Sequence, residues 1–102
     1  MEEFYAKIIE KIHRNSQIIE NGLGCHQWQG TEKQGGMYGV IKLNPPGHKA
    51  IVRHVHRALY MCVNKRLDIP PDMDVSHLCH MTKCVNIEHL ILESHITNME
   101  RL

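Results

Sequence analysis

The segment Val75-Ser76-His77-Leu78-Cys79-His80-Met81-Thr82-Lys83-Cys84-Val85-Asn86-Ile87-Glu88-His89-Leu90 restricts this chain more than any other part of it. Four residues separate Cys79 from Cys84, and four more separate Cys84 from His89, so one tight loop can turn all three side chains onto a single ion. Thiolate and imidazole donors in that combination suit Zn²⁺, whose tetrahedral structural sites need a fourth ligand. Two further thiols are available, Cys25 and Cys62. Cys62 sits among Leu59, Tyr60, Met61 and Val63 in a helical apolar pattern, and reads as a buried structural cysteine rather than a ligand.

Length explains why an ion matters. A chain of 102 residues forms one small domain, here taken as residues 1–102, whose limited core gains from a metal crosslink. Two disulfides would use the same four cysteines, but Met1-Glu2-Glu3 opens a charged, periodic segment with no secretory character. A reducing, intracellular location is therefore expected, and thiolates rather than bridges. No apolar run approaches the roughly 20 residues of a membrane-spanning helix.

The net charge is only +1, which does not by itself announce a polyanionic partner. The distribution is more informative: no acidic residue falls between Lys33 and Asp68, whereas Lys42, Lys49, Arg53, Arg57, Lys65 and Arg66 do. A local basic face can form there.

Residues 1–22 are expected to open with a helix over 2 to about 20, with Phe4, Ile8 and Ile12, and Tyr5 and Ile9 beside them, at helical spacing and Asn21-Gly22 as the stop. Residues 25–53 read as a sheet: a strand over Cys25–Gly30, a polar hairpin loop over 31–36, a strand over 37–43, the breaker Asn44-Pro45-Pro46-Gly47, and a returning strand over 49–53. A ribbon of that size fits the major groove of duplex DNA. A helix over 54–64 follows, ended by Ile69-Pro70-Pro71, and its His54 and His56 are expected to point in different directions. Residues 74–102 read as strand, metal loop, strand over 90–93 and a last helix capped by Ser94.

These residues carry a resemblance. Cys25-x-x-Trp28-x-Gly30, Tyr38-Gly39-x-Ile41, His56-Arg57-x-x-Tyr60, Ser76-His77-Leu78-Cys79-His80-x-x-x-Cys84-x-Asn86-x-x-His89-Leu90 and Glu93-Ser94-x-x-x-Asn98 look like the His-Cys box homing endonucleases. More broadly the pattern is similar to the zinc-loop HNH, or His-Me finger, nucleases. The likeness runs over about residues 25 to 101 and is densest from 76 to 98.

It implies an α+β fold: a small zinc-stabilised domain with an antiparallel sheet, flanking helices and a ββα-metal active site. It further implies that Cys25, Cys79, Cys84 and His89 hold one structural Zn²⁺ per chain, that His77 is the general base, and that Asn98 ligates a single catalytic Mg²⁺. A neutral imidazole can take a proton from water, and an amide oxygen suits a hard cation, so the residue types agree with those roles. The family also places a basic residue near the scissile phosphate, and here the match is poor; Lys49 is the choice, with Lys42, Arg53 and Arg57 competing. These four and Arg101 are the expected contacts to double-stranded DNA. The expected activity is Mg²⁺-dependent hydrolysis of DNA phosphodiester bonds, with site-specific cutting of the homing type and nonspecific cutting both open, and a catalytically silent zinc-supported DNA-binding module is the alternative. The second zinc site of some family members lies in a longer C-terminal tail, which also builds their dimer. A homodimer here is therefore expected to use other surfaces or to be absent.

Overall fold

The computed structural model of the chain describes residues 1–33, 35–66 and 69–100 and, within them, the side chains up to residue 97. Its elements, in order, are α1 (Glu2–Arg14), β1 (Ser16–Ile18), β2 (His26–Trp28), β3 (Glu32–Lys33), β4 (Tyr38–Leu43), β5 (Ile51–His54), α2 (Val55–Val63), β6 (Met73–His77), a 3-10 turn (Ile87–His89), β7 (Leu90–Ser94) and α3 (His95–Glu100). This is the α+β class that the sequence implies, with every strand pair antiparallel. Among the described residues, no helix is long and apolar enough to cross a membrane.

α1 turns one apolar stripe inward. Tyr5 and Ile12 are buried, Phe4, Ile8 and Ile9 pack beside them, and the helix lies against α2. It ends at Arg14, short of the expected residue 20, because Asn15 closes it: the Asn15 backbone N–H and Nδ2 both donate to the Lys11 carbonyl. Ser16–Ile18 then pairs with His26–Trp28 in the register Ser16↔Trp28 and Ile18↔His26, so a ladder satisfies the backbone that a longer helix would have used. Asn21-Gly22 shapes the connection of this hairpin instead, with Gly22 at φ +77 and the Asn21 Oδ1 accepting from the Leu23 N–H.

The expected single sheet over 25–53 is also divided. The β2 strand does not pair across the polar loop with the 38–43 strand, since both its edges are occupied. β1 takes one edge, and residues 83–85 take the other: Trp28 N–H donates to the Lys83 carbonyl at 2.9 Å and Val85 N–H to the His26 carbonyl at 2.7 Å. The three-stranded sheet is β3-β4-β5, in which Val40 faces His54 and Leu43 faces Ile51. The returning strand starts at Ile51, which leaves Lys49 in the turn.

Trp28 joins these two sheets. Its indole lies across the backbone at Gly30 and Gly39, where a Cβ on either residue would fall inside the ring, and Nε1 donates to the Thr31 carbonyl at 3.0 Å. The Trp-x-Gly and Tyr-Gly pairs in the sequence are therefore packing requirements. Gly39→Ala is expected to destabilise the protein by about 1–3 kcal/mol through overpacking. Strand propensity alone favours the alanine, so a lowered denaturant midpoint at unchanged m identifies the ring contact as the cause.

The core is built from Ile12, Ile41, Leu43, Val55, Ala58, Leu59, Met61, Val75, Val85 and Leu90 around Trp28. α2 supplies the most of it, and β6 and β7 lie on its flank with α3 packed on both.

Candidate metal centre and adjoining histidine row

Cys25, Cys79, Cys84 and His89 come together from four separate places: the residue before β2, the turn after β6, the segment paired with β2, and the end of the 3-10 turn. One donor atom from each lies within 4.8 Å of every other. The Cys25 Sγ and Cys84 Sγ stand 3.6 and 3.3 Å from the His89 Nδ1. A tetrahedron with zinc–sulfur and zinc–nitrogen bonds of ordinary length has a sulfur-to-nitrogen edge of about 3.6 Å. The donor set and its spacing thus fit a structural zinc.

Local geometry holds these donors in place. His80 takes φ +60, and its N–H donates to the His77 carbonyl, which turns the chain back after Cys79. Asn86 uses both ends of its amide: Oδ1 accepts from the Glu88 N–H to start the 3-10 turn, and Nδ2 donates to the Gly24 carbonyl beside Cys25. Burial pushes the Cys84 thiol up to about 12 and raises Cys79 as well, so a thiolate here requires a cation next to it. Cys62 lies outside the cluster, as its apolar surroundings suggest; it is buried in α2, which pushes its thiol up to about 11. His80 is exposed and is not one of the four.

Beside this centre four rings stand in a row. Tyr38 stacks on His54 with centroids 4.7 Å apart and planes at 3°, His54 lies 5.7 Å from His56, and His56 lies 4.3 Å from His77. The expected divergence of His54 and His56 does not occur. His54 is the last residue of β5, with φ −57 and ψ 138, rather than a helical position, so the strand-to-helix junction brings the two rings to one side.

His77 ends β6, and its Nε2 lies 3.1 Å from the Cys84 carbonyl oxygen. A carbonyl only accepts, so Nε2 carries the hydrogen and Nδ1 the lone pair. A backbone atom of one cluster residue thereby sets the orientation and tautomer of this imidazole. Burial pushes His77 down to about 4, opposed by that hydrogen bond. His54 is lowered too, by burial and by the charges of Lys33 and Arg57.

His56 is the most enclosed of the three. Its Nδ1 is buried without a partner, and burial followed by the neighbouring His77 and His54 pushes it down to about 3; a hydrogen bond with the Val75 backbone opposes the shift. A histidine whose folded pKa is depressed contributes stability that is complete above the unfolded value near 6.5 and is lost as pH falls toward the folded value. Across that window the loss approaches about 1.4 kcal/mol per pH unit for one group. His56→Gln, which cannot titrate, is expected to flatten the dependence of unfolding free energy on pH between about 6 and 4. Denaturant titrations on zinc-replete protein measure that slope.

The remaining candidates separate. Lys42 is exposed on the outer side of β4, Arg53 donates from Nη1 to the Val52 carbonyl, and Arg57 donates from Nη2 to the Ile69 carbonyl at 3.3 Å. Lys49 is exposed in the β4–β5 turn, at the opposite end of the ribbon from His54 and the ring row, so the structure does not bring it to His77. Asn98 belongs to α3, which packs on β6 and β7, but its side chain lies outside the described residues, as does all of Arg101. His95 pairs with Asp74, Nδ1 to Oδ2 at 2.7 Å. Lys33 was not among the sequence candidates, although its charge reaches His54; the long acid-free run that begins just after it was the available signal.

A β6-loop-β7-α3 unit with three of its loop residues and Cys25 gathered into a Cys₃His cluster defines a zinc-loop domain of the His-Me type. The model of the family described as the zinc-binding loop region of homing endonuclease matches residues 24–102, and the chain belongs to that family. α1 and β1 precede the matched region. No curated protein and no solved structure matches the chain.

Proposed function

We propose that the protein is an endonuclease that hydrolyses phosphodiester bonds of duplex DNA, with His77 as general base and Asn98 as a ligand of a divalent cation, most suitably Mg²⁺. The observation that supports this most strongly is the bond from His77 Nε2 to the Cys84 carbonyl. It leaves Nδ1 as a fixed proton acceptor on a neutral ring, at the edge of a unit that also carries residue 98. His77 takes one proton from water as the water oxygen bonds to phosphorus. The bond from phosphorus to the 3′ oxygen breaks, and that oxygen gains a proton from solvent. A hard cation bound there supplies charge stabilisation to the phosphoryl oxygens and the leaving group. Among the basic side chains, Arg57 suits the phosphate better than Lys49, since it lines the same cleft as His54, whereas Lys49 lies at the far end of the ribbon.

The family supports DNA as substrate and nuclease chemistry as the reaction. The test is incubation of zinc-quantified protein with supercoiled plasmid and with pooled random-sequence duplexes, with and without Mg²⁺. Nicks or breaks that require Mg²⁺ are the expected outcome. Zinc-replete protein that binds duplex DNA but cuts neither substrate would sink the enzyme reading and leave a DNA-binding module.

A further inference from the structure

The outer face of the β3-β4-β5 sheet carries two clefts, of about 460 and 330 Å³, which share Lys33, Val40 and Val52 and so form one groove. Lys11, Lys33, Lys42, Arg53 and Arg57 line it, and among the described residues no carboxylate does. At one end stands His54, two ring contacts from His77. The other end reaches Lys11 and Asn15, at the C-terminal turn of α1.

Strand alternation accounts for the absence of acid. Glu32, adjacent to Lys33 in β3, is paired with Lys83 of the zinc loop at 2.7 Å, whereas Lys33 lines the groove. The end of α1 is tied to the segment that follows β2 by the Gln29 N–H, which donates to the Asn15 carbonyl at 2.7 Å. The negative end of the helix dipole is offset there by Lys11, His13 and Arg14, and its Lys11 carbonyl is capped twice by Asn15.

We propose that α1 is part of the nucleic-acid-binding surface: the sugar-phosphate backbone of a bound duplex runs from His54 along this groove to Lys11. The inference rests on the nuclease reading for its ligand, and it extends the contact surface to a helix that precedes the family's matched region. Among the described residues the groove is lined by five cations and no carboxylate, a lining that complements a polyphosphate and repels a basic partner. The apolar floor of Val40 and Val52 suits the sugar edges between phosphates.

Phosphate contacts dominate binding without regard to sequence, so the unknown target does not prevent a test. Affinity for a pool of random-sequence duplexes is measured against salt concentration for zinc-replete wild type, Lys11→Gln, Lys33→Gln and Lys42→Gln. Lys7→Gln serves as the control, since Lys7 is on the same helix and pairs with Glu3. Each lost phosphate contact removes about 0.9 from the slope of log affinity against log salt. Lys11→Gln and Lys33→Gln are expected to show that reduction, and Lys7→Gln the wild-type slope. If Lys42→Gln lowers the slope while Lys11→Gln matches Lys7→Gln, α1 is not on the track and the proposal fails, with the DNA reading intact. Wild-type protein without salt-dependent binding would overturn both.

Discussion

Cys79→Ser is expected to abolish the cooperative unfolding transition of the protein and to reduce bound zinc well below one per chain. Of the three clustered cysteines only Cys79 is half-exposed, while Cys25 and Cys84 are fully buried, so its substitution removes a ligand with the least disturbance of packing. Zinc binding by a Cys₂His₂-type peptide contributes roughly 10–16 kcal/mol of folding free energy, against a total of about 5–15 kcal/mol for an ordinary domain. A site short of one thiolate cannot make up that difference from a core of this size. Zinc analysis together with thermal unfolding followed by circular dichroism reads both effects. Cys62→Ala is the companion variant: it loses buried contacts in α2 but is expected to keep its zinc and its transition. A Cys79→Ser protein that melts as wild type would show that the cluster does not hold the fold together.

The second large effect concerns His77. His77→Ala should cut at a rate lower by about 10²–10⁴, the usual contribution of a positioned general base, while its zinc content and unfolding midpoint stay close to wild type. The structure gives a reason to expect the separation. The ring is half-buried and its hydrogen bond to the cluster is to a backbone carbonyl, so its loss leaves all four donor atoms in place. Single-turnover cleavage of a duplex that wild type cuts is the measurement, and cleavage at the wild-type rate would remove His77 from the role of base.

What the sequence displayed, and what it concealed, follows from the range of the interactions. α2, the β4–β5 ribbon and the β6-loop-β7 unit were legible because their periodicity and their breakers, Asn44-Pro45-Pro46-Gly47 and Pro70-Pro71, are local. The end of α1 was not, since Ile18 and Ile19 keep a helical spacing and only the pairing with His26–Trp28 makes that stretch a strand. The partners of β2 were hidden for the same reason at longer range, one edge being taken by residues from the zinc loop. Three donors of the metal centre could be read from spacing, whereas Cys25 rested on family resemblance, because nothing local links it to Cys84. The ring row was missed because the direction of a side chain at a strand-to-helix junction depends on one pair of dihedral angles.

The double occupancy of β2 has a consequence for where this chain can be cut. A fragment that began at residue 24, where the family match begins, would keep every donor of the metal centre but lose β1 and the Ile12 side chain. One edge of β2 would then present free N–H and C=O groups, next to an apolar slot, to any other extended chain. Such an edge is a template for pairing with a second copy, so removal of the first 18 residues is expected to promote self-association of the metal-binding half.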